Sequence, residues 1–493
     1  MEVPDTPENR GSCICPGCPS YPGGACAGEI LYCSTGASRC EVKPLGCSCP
    51  GCSVYEDYHL TALYFCDKVP VGGAGHPVRK RRAAESEAAY GSMIGIKIIA
   101  DTGKGITGAM GSQKPMPFTL DDLHFVPAQV HRFPLNREEP VDTGIILGPG
   151  AKRPLSLPTP ILVSGMSFGA VSRNLKLAIA GASAQLGFGF NSGEGGILDE
   201  EITTAGKNLV VQYSTGRFGI TEKILSKAAA IEIRFGQGAY PGKGSYLPAA
   251  KITPEIARIR GLQDGEAAYS PARHPDMATP GEIRSKVAWL KSVSGGAPVG
   301  AKIGCGDVEG DVATLAGAGV DFIALDGFGG GTGATDLSVR ENVGIPLVAA
   351  LPRADRKLRS LGLRDRITLI GGGGLRTPAD FAKCLALGAE AVYIGTAALI
   401  AVNCEQYRIC HTGRCPTGVT TQDPVLGNQL DVGKGIGRLG NFIRVSTEEM
   451  AQFARVTGRH RVRDLDRSDL VSLSRDLAGI AGCAWLGAPA AKE

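Results

Sequence analysis

From about residue 91 onward, short apolar runs recur, each closing on glycine or a polar residue and each followed by an alanine-rich stretch. The runs beginning at Ile161 (ILVSG), Ile231 (IEIRF), Pro298 (PVGAKI), Val320 (VDFIAL), Ile367 (ITLI) and Ala391 (AVYI) have the length and β-branched content of buried strands. Weaker runs at 187–190 and 208–212 bring the count to eight. The stretch EIRSKVAWLKSV from Glu282 instead places Ile283, Val287 and Leu290 on one helical face. Eight strands alternating with helices predict an α/β chain folded as a (β/α)8 TIM barrel.

The first residues are of another kind. Ten of the 16 cysteines lie within residues 13–66. Cys-x-Cys-Pro-Gly-Cys occurs at 13–18 and again at 47–52, and Cys33 and Cys66 each close a half. This internal duplication gives four thiols per half: Cys13, Cys15, Cys18 and Cys33, then Cys47, Cys49, Cys52 and Cys66. Cys26 and Cys40 are left over. Four closely spaced thiolates suit a structural zinc ion or a 4Fe-4S cluster, and disulfides are a third use. The chain therefore divides into a duplicated cysteine-rich metal or iron–sulfur domain at 1–68, a linker at 69–90 and the barrel at 91–493 with a C-terminal helical extension. The linker carries Arg79-Lys80-Arg81-Arg82, which reads as a solvated basic run.

Composition narrows the classes. The 493 residues are 43% apolar and 20% charged, enough for a large core and too apolar for wholesale disorder. A net charge of +4 does not argue for a nucleic-acid partner. No apolar run reaches the ~18 residues needed to span a membrane, and the N-terminus lacks the pattern of a signal peptide, so a cytoplasmic protein is expected. Glycine, at 70 residues, is about twice its usual share, which fits loops whose backbone approaches a ligand.

Those loops sit where a barrel does its chemistry. The seventh strand runs into Gly371-Gly372-Gly373-Gly374-Leu375-Arg376 and the eighth into Gly395-Thr396, a pattern suited to a phosphate. The sixth runs into Asp326-Gly-Phe-Gly-Gly330-Gly331-Thr-Gly333. Lys302 lies inside an apolar strand. It either faces the barrel mouth, where it would stabilise a reduced flavin, or pairs with a structural carboxylate. Further on, Cys404, Cys410 and Cys415 form C-x5-C-x4-C. Three thiolates suit a 3Fe-4S cluster, and His411 would alternatively complete a zinc site.

Residues 160–425 resemble the FMN-binding synthase domain of glutamate synthase. The matching motifs are Ser164-Gly-Met-Ser-Phe-Gly-Ala170, Asn191-Ser-Gly-Glu-Gly-Gly196, Ser214-Thr-Gly-Arg-Phe-Gly-Ile220 and Gly236-Gln-Gly-Ala239. The glycine loops and the cysteine triplet follow in family order. The resemblance implies FMN, a 3Fe-4S cluster that relays electrons to it, and hydride delivery to 2-iminoglutarate. It makes Met166, Ser167, Gln237, Lys302, Gly330, Gly331, Gly373, Gly374, Gly395 and Thr396 candidates for FMN contacts. Cys404, Cys410 and Cys415 become candidate cluster ligands, and Glu194 a substrate-pocket residue able to move a proton if burial raises its pKa.

The departures bear on the substrate. Neither the family's glutaminase domain nor its C-terminal β-helix is recognised here, so ammonia is expected from solution or a partner subunit. Where the family reads Gln-Gly-Ala-Lys-Pro-Gly-x-Gly-Gly-Gln-Leu-Pro, this chain places Tyr240 at the lysine and Tyr246 at the glutamine. Losing a cation opposite a desolvated carboxylate costs on the order of 3 kcal/mol. Lys243 and Arg260 are the candidates to replace it. The expectation is an FMN- and iron–sulfur-dependent oxidoreductase passing electrons between a ferredoxin-like carrier and a small substrate other than plain 2-oxoglutarate. Two alternatives stand beside it: an ammonia- or ferredoxin-dependent glutamate synthase, and an electron-transfer subunit of a larger complex. A homo-oligomer or complex subunit is expected, without nucleic acid or membrane.

Overall fold

The computed structural model describes residues 3–43, 45–60, 62–67, 83–263 and 265–487. The chain divides into two compact units, Met1–Lys104 and Gly105–Glu493. Residues 69–82 of the expected linker, with its basic run, lie outside the described residues. Residues 83–90 are not loop: they open the helix Ala83–Thr102, which belongs to the first unit.

In the second unit the eight expected strands are β1 Ile161–Val163, β2 Phe190–Asn191, β3 Leu209–Tyr213 and β4 Ala230–Arg234, followed by β5 Val299–Gly304, β6 Phe322–Asp326, β7 Thr368–Gly372 and β8 Ala391–Ile394. All pair in parallel with their sequence neighbours, and β8 closes on β1. The helices following them are α1 Arg173–Leu186, α2 Asp199–Ala205, α3 Glu222–Leu225 and α4 Pro280–Val293, then α5 Val308–Gly317, α6 Leu347–Ser360, α7 Pro378–Ala386 and α8 Thr396–Val402. This is the (β/α)8 barrel the alternation predicts.

Strand side chains alternate between two cores. Ile161, Val211, Ile323, Leu369 and Val392 pack outward in the large core shared with the helices. Leu162, Val210, Phe322, Ala324 and Ile370 pack inside the barrel. The antiparallel hairpin of Ile145–Leu147 and Leu155–Leu157 adds Ile145, Leu147, Leu155 and Leu157 to that inner cluster. The sequence pattern did not flag this hairpin.

Helix starts follow ordinary capping chemistry. At α4 the Thr279 hydroxyl accepts from the Glu282 N–H at 3.3 Å, Glu282 Oε2 accepts from the Thr279 N–H at 2.9 Å, and Pro280 needs no donor. The C-terminal extension is α9, Val432–Val456, whose Leu439 and Ile443 join the outer core beside Ala178 and Ala182 of α1. A three-stranded sheet of Leu123–Phe125, Leu470–Ser472 and Ala484–Trp485 ties residues near the start of this unit to its end. Among the described residues no helix is long and apolar enough to cross a membrane.

The first unit is built from short turns. The duplicated Cys-Pro-Gly segments fold alike, as 3-10 turns Cys15–Gly17 and Cys49–Gly51. The two leftover cysteines, Cys26 and Cys40, form a disulfide.

Candidate active site

A cavity opens over the C-terminal ends of the barrel strands, where backbone carbonyls end and loops begin. Met166 and Ser167 line it from the loop after β1, Glu194 from after β2, and Gln237 and Tyr240 from after β4. Lys302 enters from β5, Gly330 and Gly331 from after β6, Gly373 and Gly374 from after β7, and Gly395 and Thr396 from the start of α8. Tyr246, Arg260 and Cys410 also border it. Lys243 does not. It lies on the surface, ion-paired with Asp336, so the structure does not bring it to the cavity as a substrate ligand.

The glycine loops leave room for a ligand in two ways. Gly373 has φ +104°, and a Cβ there would sit 2.5 Å from the Gly327 carbonyl, so only glycine lets β7 turn this tightly beside the β6 loop. At Gly395 a Cβ would meet no protein atom within 4 Å and would occupy the cavity itself. This bare backbone, with Arg376 beside it, suits a phosphate. Residues 107–111, outside the stretch on which sequence resemblance rested, cover the loops from the other side. Thr107–Gly108 pairs with Thr335–Asp336, and the Met110 N–H donates to the Thr332 carbonyl at 2.7 Å.

Lys302 both faces the cavity and pairs with a carboxylate. Its ammonium faces the cavity, donates to Ser164 Oγ at 3.1 Å and pairs with Asp326 at 3.2 Å. It stands next to Arg234 in the β4–β5 register, so both side chains enter the barrel on the same side of the sheet.

Arg234 was missed as a site residue. It is 4% exposed and bonds Glu194 Oε2 at 2.5 Å and the Tyr240 hydroxyl at 2.7 Å. The signal was present: Glu232 and Arg234 are polar at period two in a strand otherwise apolar, which aims both at the barrel interior. Glu232 accepts there from Asn191 at 2.8 Å and Gln212 at 2.9 Å.

Glu194 requires a correction. Burial alone pushes its carboxyl up, which was the condition for expecting it to accept or give a proton. The Arg234 charge, hydrogen bonds from Ser245 and Ser270, and the Arg260 charge outweigh burial and hold it below the ordinary 4.5. Glu194 is an ionised anchor. Tyr240 fills the place where the resembling family has lysine, and burial drives its hydroxyl up to about 12, so it stays neutral. Arg260 lies behind, donating to the Phe168 carbonyl at 2.6 Å, and burial lowers it to about 10. Tyr246, 46% exposed, sits at the rim against Tyr269 with ring centroids 4.8 Å apart.

The cysteine triplet gathers beside the cavity. Cys410 and Cys415 are buried, and the charges of both bear on Cys404. Burial pushes the Cys404 and Cys410 thiols up. At Cys415 burial is outweighed by hydrogen bonds from the Thr417 hydroxyl and from the Thr417 and Thr420 backbone, and its thiol lies below the ordinary value. The buried Lys251 ammonium donates to the Cys410 carbonyl at 3.0 Å, and burial lowers it to about 8. The Thr420 hydroxyl and His411 Nδ1 are buried without a geometric hydrogen-bond partner. Among the described residues, no three His, Cys, Asp or Glu side chains close on a single-ion site.

The family described as a conserved region in glutamate synthase matches residues 92–460, and a family of proteins of unknown function, DUF2769, matches residues 13–67. A glutamate synthase large subunit-like protein from Rhizobium meliloti (strain 1021) is 38% identical over 404 residues, covering 77% of this chain and 91% of that protein. An archaeal-type glutamate synthase (NADPH) from Thermotoga neapolitana is 35% identical over 395 residues, covering 76% of this chain and 78% of that protein. Among solved structures, (S)-mandelate dehydrogenase aligns with a TM-score of 0.46 at 13% identity, covering 71% of this chain and 88% of that one. The chain belongs to the glutamate synthase family and is a flavin-dependent oxidoreductase.

Proposed function

We propose that this protein is an FMN- and iron–sulfur-dependent oxidoreductase that passes electrons between a ferredoxin-like carrier and a small substrate, in the cytoplasm, and that the substrate is not plain 2-oxoglutarate. FMN, when bound, supplies two-electron hydride exchange with the substrate. The residues present fit it. Gly373, Gly374, Gly395 and Thr396 would hold its phosphate, Gly330 and Gly331 would flank it, and Lys302 would place a positive charge at the ring's electron-rich edge. Cys404, Cys410 and Cys415 fit a 3Fe-4S cluster: three thiols gather around one another, with an unpartnered Thr420 hydroxyl beside them.

The observation that carries the substrate reading is charge. Each cation on the Tyr240 side of the cavity is already committed. Arg234 is paired with Glu194, Arg260 is bound to a carbonyl and faces the same carboxylate, and Lys243 lies outside with Asp336. Glu194 neutralises only one of Arg234 and Arg260, so a dicarboxylate would bring two negative charges to one net positive charge, at a desolvation cost of several kcal/mol. Neutral Tyr240 and rim Tyr246 offer aromatic surface and one hydroxyl instead.

The second reading is glutamate formation from 2-oxoglutarate and ammonia, favoured by relatives that carry that name. One assay separates the two. The flavin is reduced anaerobically in the purified full chain and its reoxidation followed spectrally. With 2-oxoglutarate and ammonium it should stay reduced and yield no glutamate. With less charged imines, including aromatic ones, it should reoxidise. Stoichiometric glutamate would establish the second reading.

A further inference from the structure

The two cysteine halves read as separate four-thiol sites in the sequence, and the folded unit places them otherwise. All eight thiols line one cavity with apolar walls, while the disulfide consumes Cys26 and Cys40 and leaves these eight free. The halves keep matching geometry. The Leu31 N–H donates to Cys13 Sγ at 3.2 Å, and the Tyr64 N–H donates to Cys47 Sγ at 3.3 Å. Leu31 has φ 59° and Tyr64 φ 58°, a left-handed backbone that neither side chain favours. The same strained turn has been kept twice, each time aiming an amide at the first sulfur of a motif. Strain held at equivalent positions points to a site there.

The last cysteine of each motif crosses to the other half. Cys52, of the second motif, points its sulfur at the Ser12 carbonyl at 3.9 Å, next to Cys13. Cys18, of the first motif, points at the Gly46 carbonyl at 3.6 Å, next to Cys47. Cys13, Cys33 and Cys52 pack together around Leu31 and Val54. Cys33 lies two residues from Leu31, whose amide reaches Cys13, and Cys66 two residues from Tyr64, whose amide reaches Cys47. Cys15 and Cys49 lie two residues from Cys13 and Cys47.

We propose that the N-terminal unit holds two 4Fe-4S clusters with exchanged ligands, one on Cys13, Cys15, Cys33 and Cys52 and the other on Cys47, Cys49, Cys66 and Cys18. Such an exchange interlocks the halves, so neither is complete without the other. It has a general precedent in two-cluster electron carriers, where the last cysteine of a run ligates the other cluster. Backbone amides aimed at the ligand sulfurs and an apolar wall are what tune such a cluster. The choice of iron rests on the proposal that the protein moves electrons, whereas the exchange rests on geometry alone.

Two double variants of the full chain, purified without oxygen, give opposite results for the two ligand sets. FMN content reports separately on the barrel. With exchanged ligands, Cys33→Ser with Cys52→Ser removes one cluster, about four irons and four sulfides. Cys66→Ser with Cys52→Ser strikes both sites and removes about eight. The reverse pattern, or zinc at two per chain in the unaltered protein, overturns the proposal. Single serine variants, which keep an oxygen ligand, cover the case in which a double variant unfolds the unit. In the electron paramagnetic resonance of the reduced chain, Cys33→Ser and Cys52→Ser should alter the same one of two signals, and Cys66→Ser and Cys18→Ser the other. Alteration of one signal by both Cys33→Ser and Cys18→Ser would overturn the exchange even if the flavin reading stands.

Discussion

The guanidinium of Arg234 and the carboxylate of Glu194 meet at 2.5 Å with 5% and 9% of their side chains exposed. A pair this buried is weak evidence for stability relative to an apolar pair, but removing one partner strands the other. Glu194→Gln should therefore destabilise the flavin-loaded protein by about 3–5 kcal/mol, read from urea unfolding at neutral pH. A variant within 1 kcal/mol of the parent would mean that Arg234 finds another partner.

The same pair sets an acid dependence. Glu194 is held below 4.5, so its contribution is complete above that pH and fades as the pH falls through the lower folded value. The parent's stability should drop steeply below about pH 4.5, and that acid limb should flatten in Glu194→Gln. Equal slopes in the two proteins would place the carboxylate's titration elsewhere.

Tyr240 separates packing from charge. Tyr240→Phe removes the hydroxyl that accepts from Arg234 at 2.7 Å and should cost about 1–3 kcal/mol, with FMN retained. Tyr240→Lys places the resembling family's cation at this position. It should confer a flavin absorbance change on adding 2-oxoglutarate that the parent lacks. No such change in the lysine variant would show that this position does not exclude the dicarboxylate.

Lys302 faces the cavity from β5 while tethered to Asp326 and Ser164. Lys302→Met should lower the two-electron flavin potential. Losing about 1.5–3 kcal/mol of charge-assisted contact corresponds to about 30–60 mV. Redox titration against dyes reads it, and an unchanged potential would leave Lys302 with a purely structural role.

The two glycines differ in how they should fail. Gly373→Ala meets the Gly327 carbonyl and adopts φ +104°, so the fold itself should suffer. Gly395→Ala meets no protein atom and should leave unfolding of the flavin-free protein unchanged while weakening FMN binding about tenfold or more. Fluorescence titration with FMN distinguishes them.

Most of the barrel was legible because its strands are continuous apolar runs, and the β6, β7 and β8 loops announced themselves as glycine. What escaped depends on contacts distant in sequence. The Ile145–Leu157 hairpin is too short to stand out, and its role exists only where Leu162, Val210 and Phe322 converge on it. Arg234 was visible as alternation in IEIRF, but its neutralisation by Glu194 and its bond to Tyr240 were not. Glu194 was misjudged because burial can be read from a motif, whereas a guanidinium 40 residues away cannot. The cysteine duplication was plain, and the crossing of Cys18 and Cys52 required the fold.

The most direct test of the whole account is a cofactor count on the full chain purified without oxygen: flavin, iron, acid-labile sulfide and zinc per polypeptide. The account predicts one FMN with about eleven irons, the sum of one three-iron and two four-iron clusters, and no stoichiometric zinc. A folded chain that carries no flavin and binds none when FMN is supplied would contradict it.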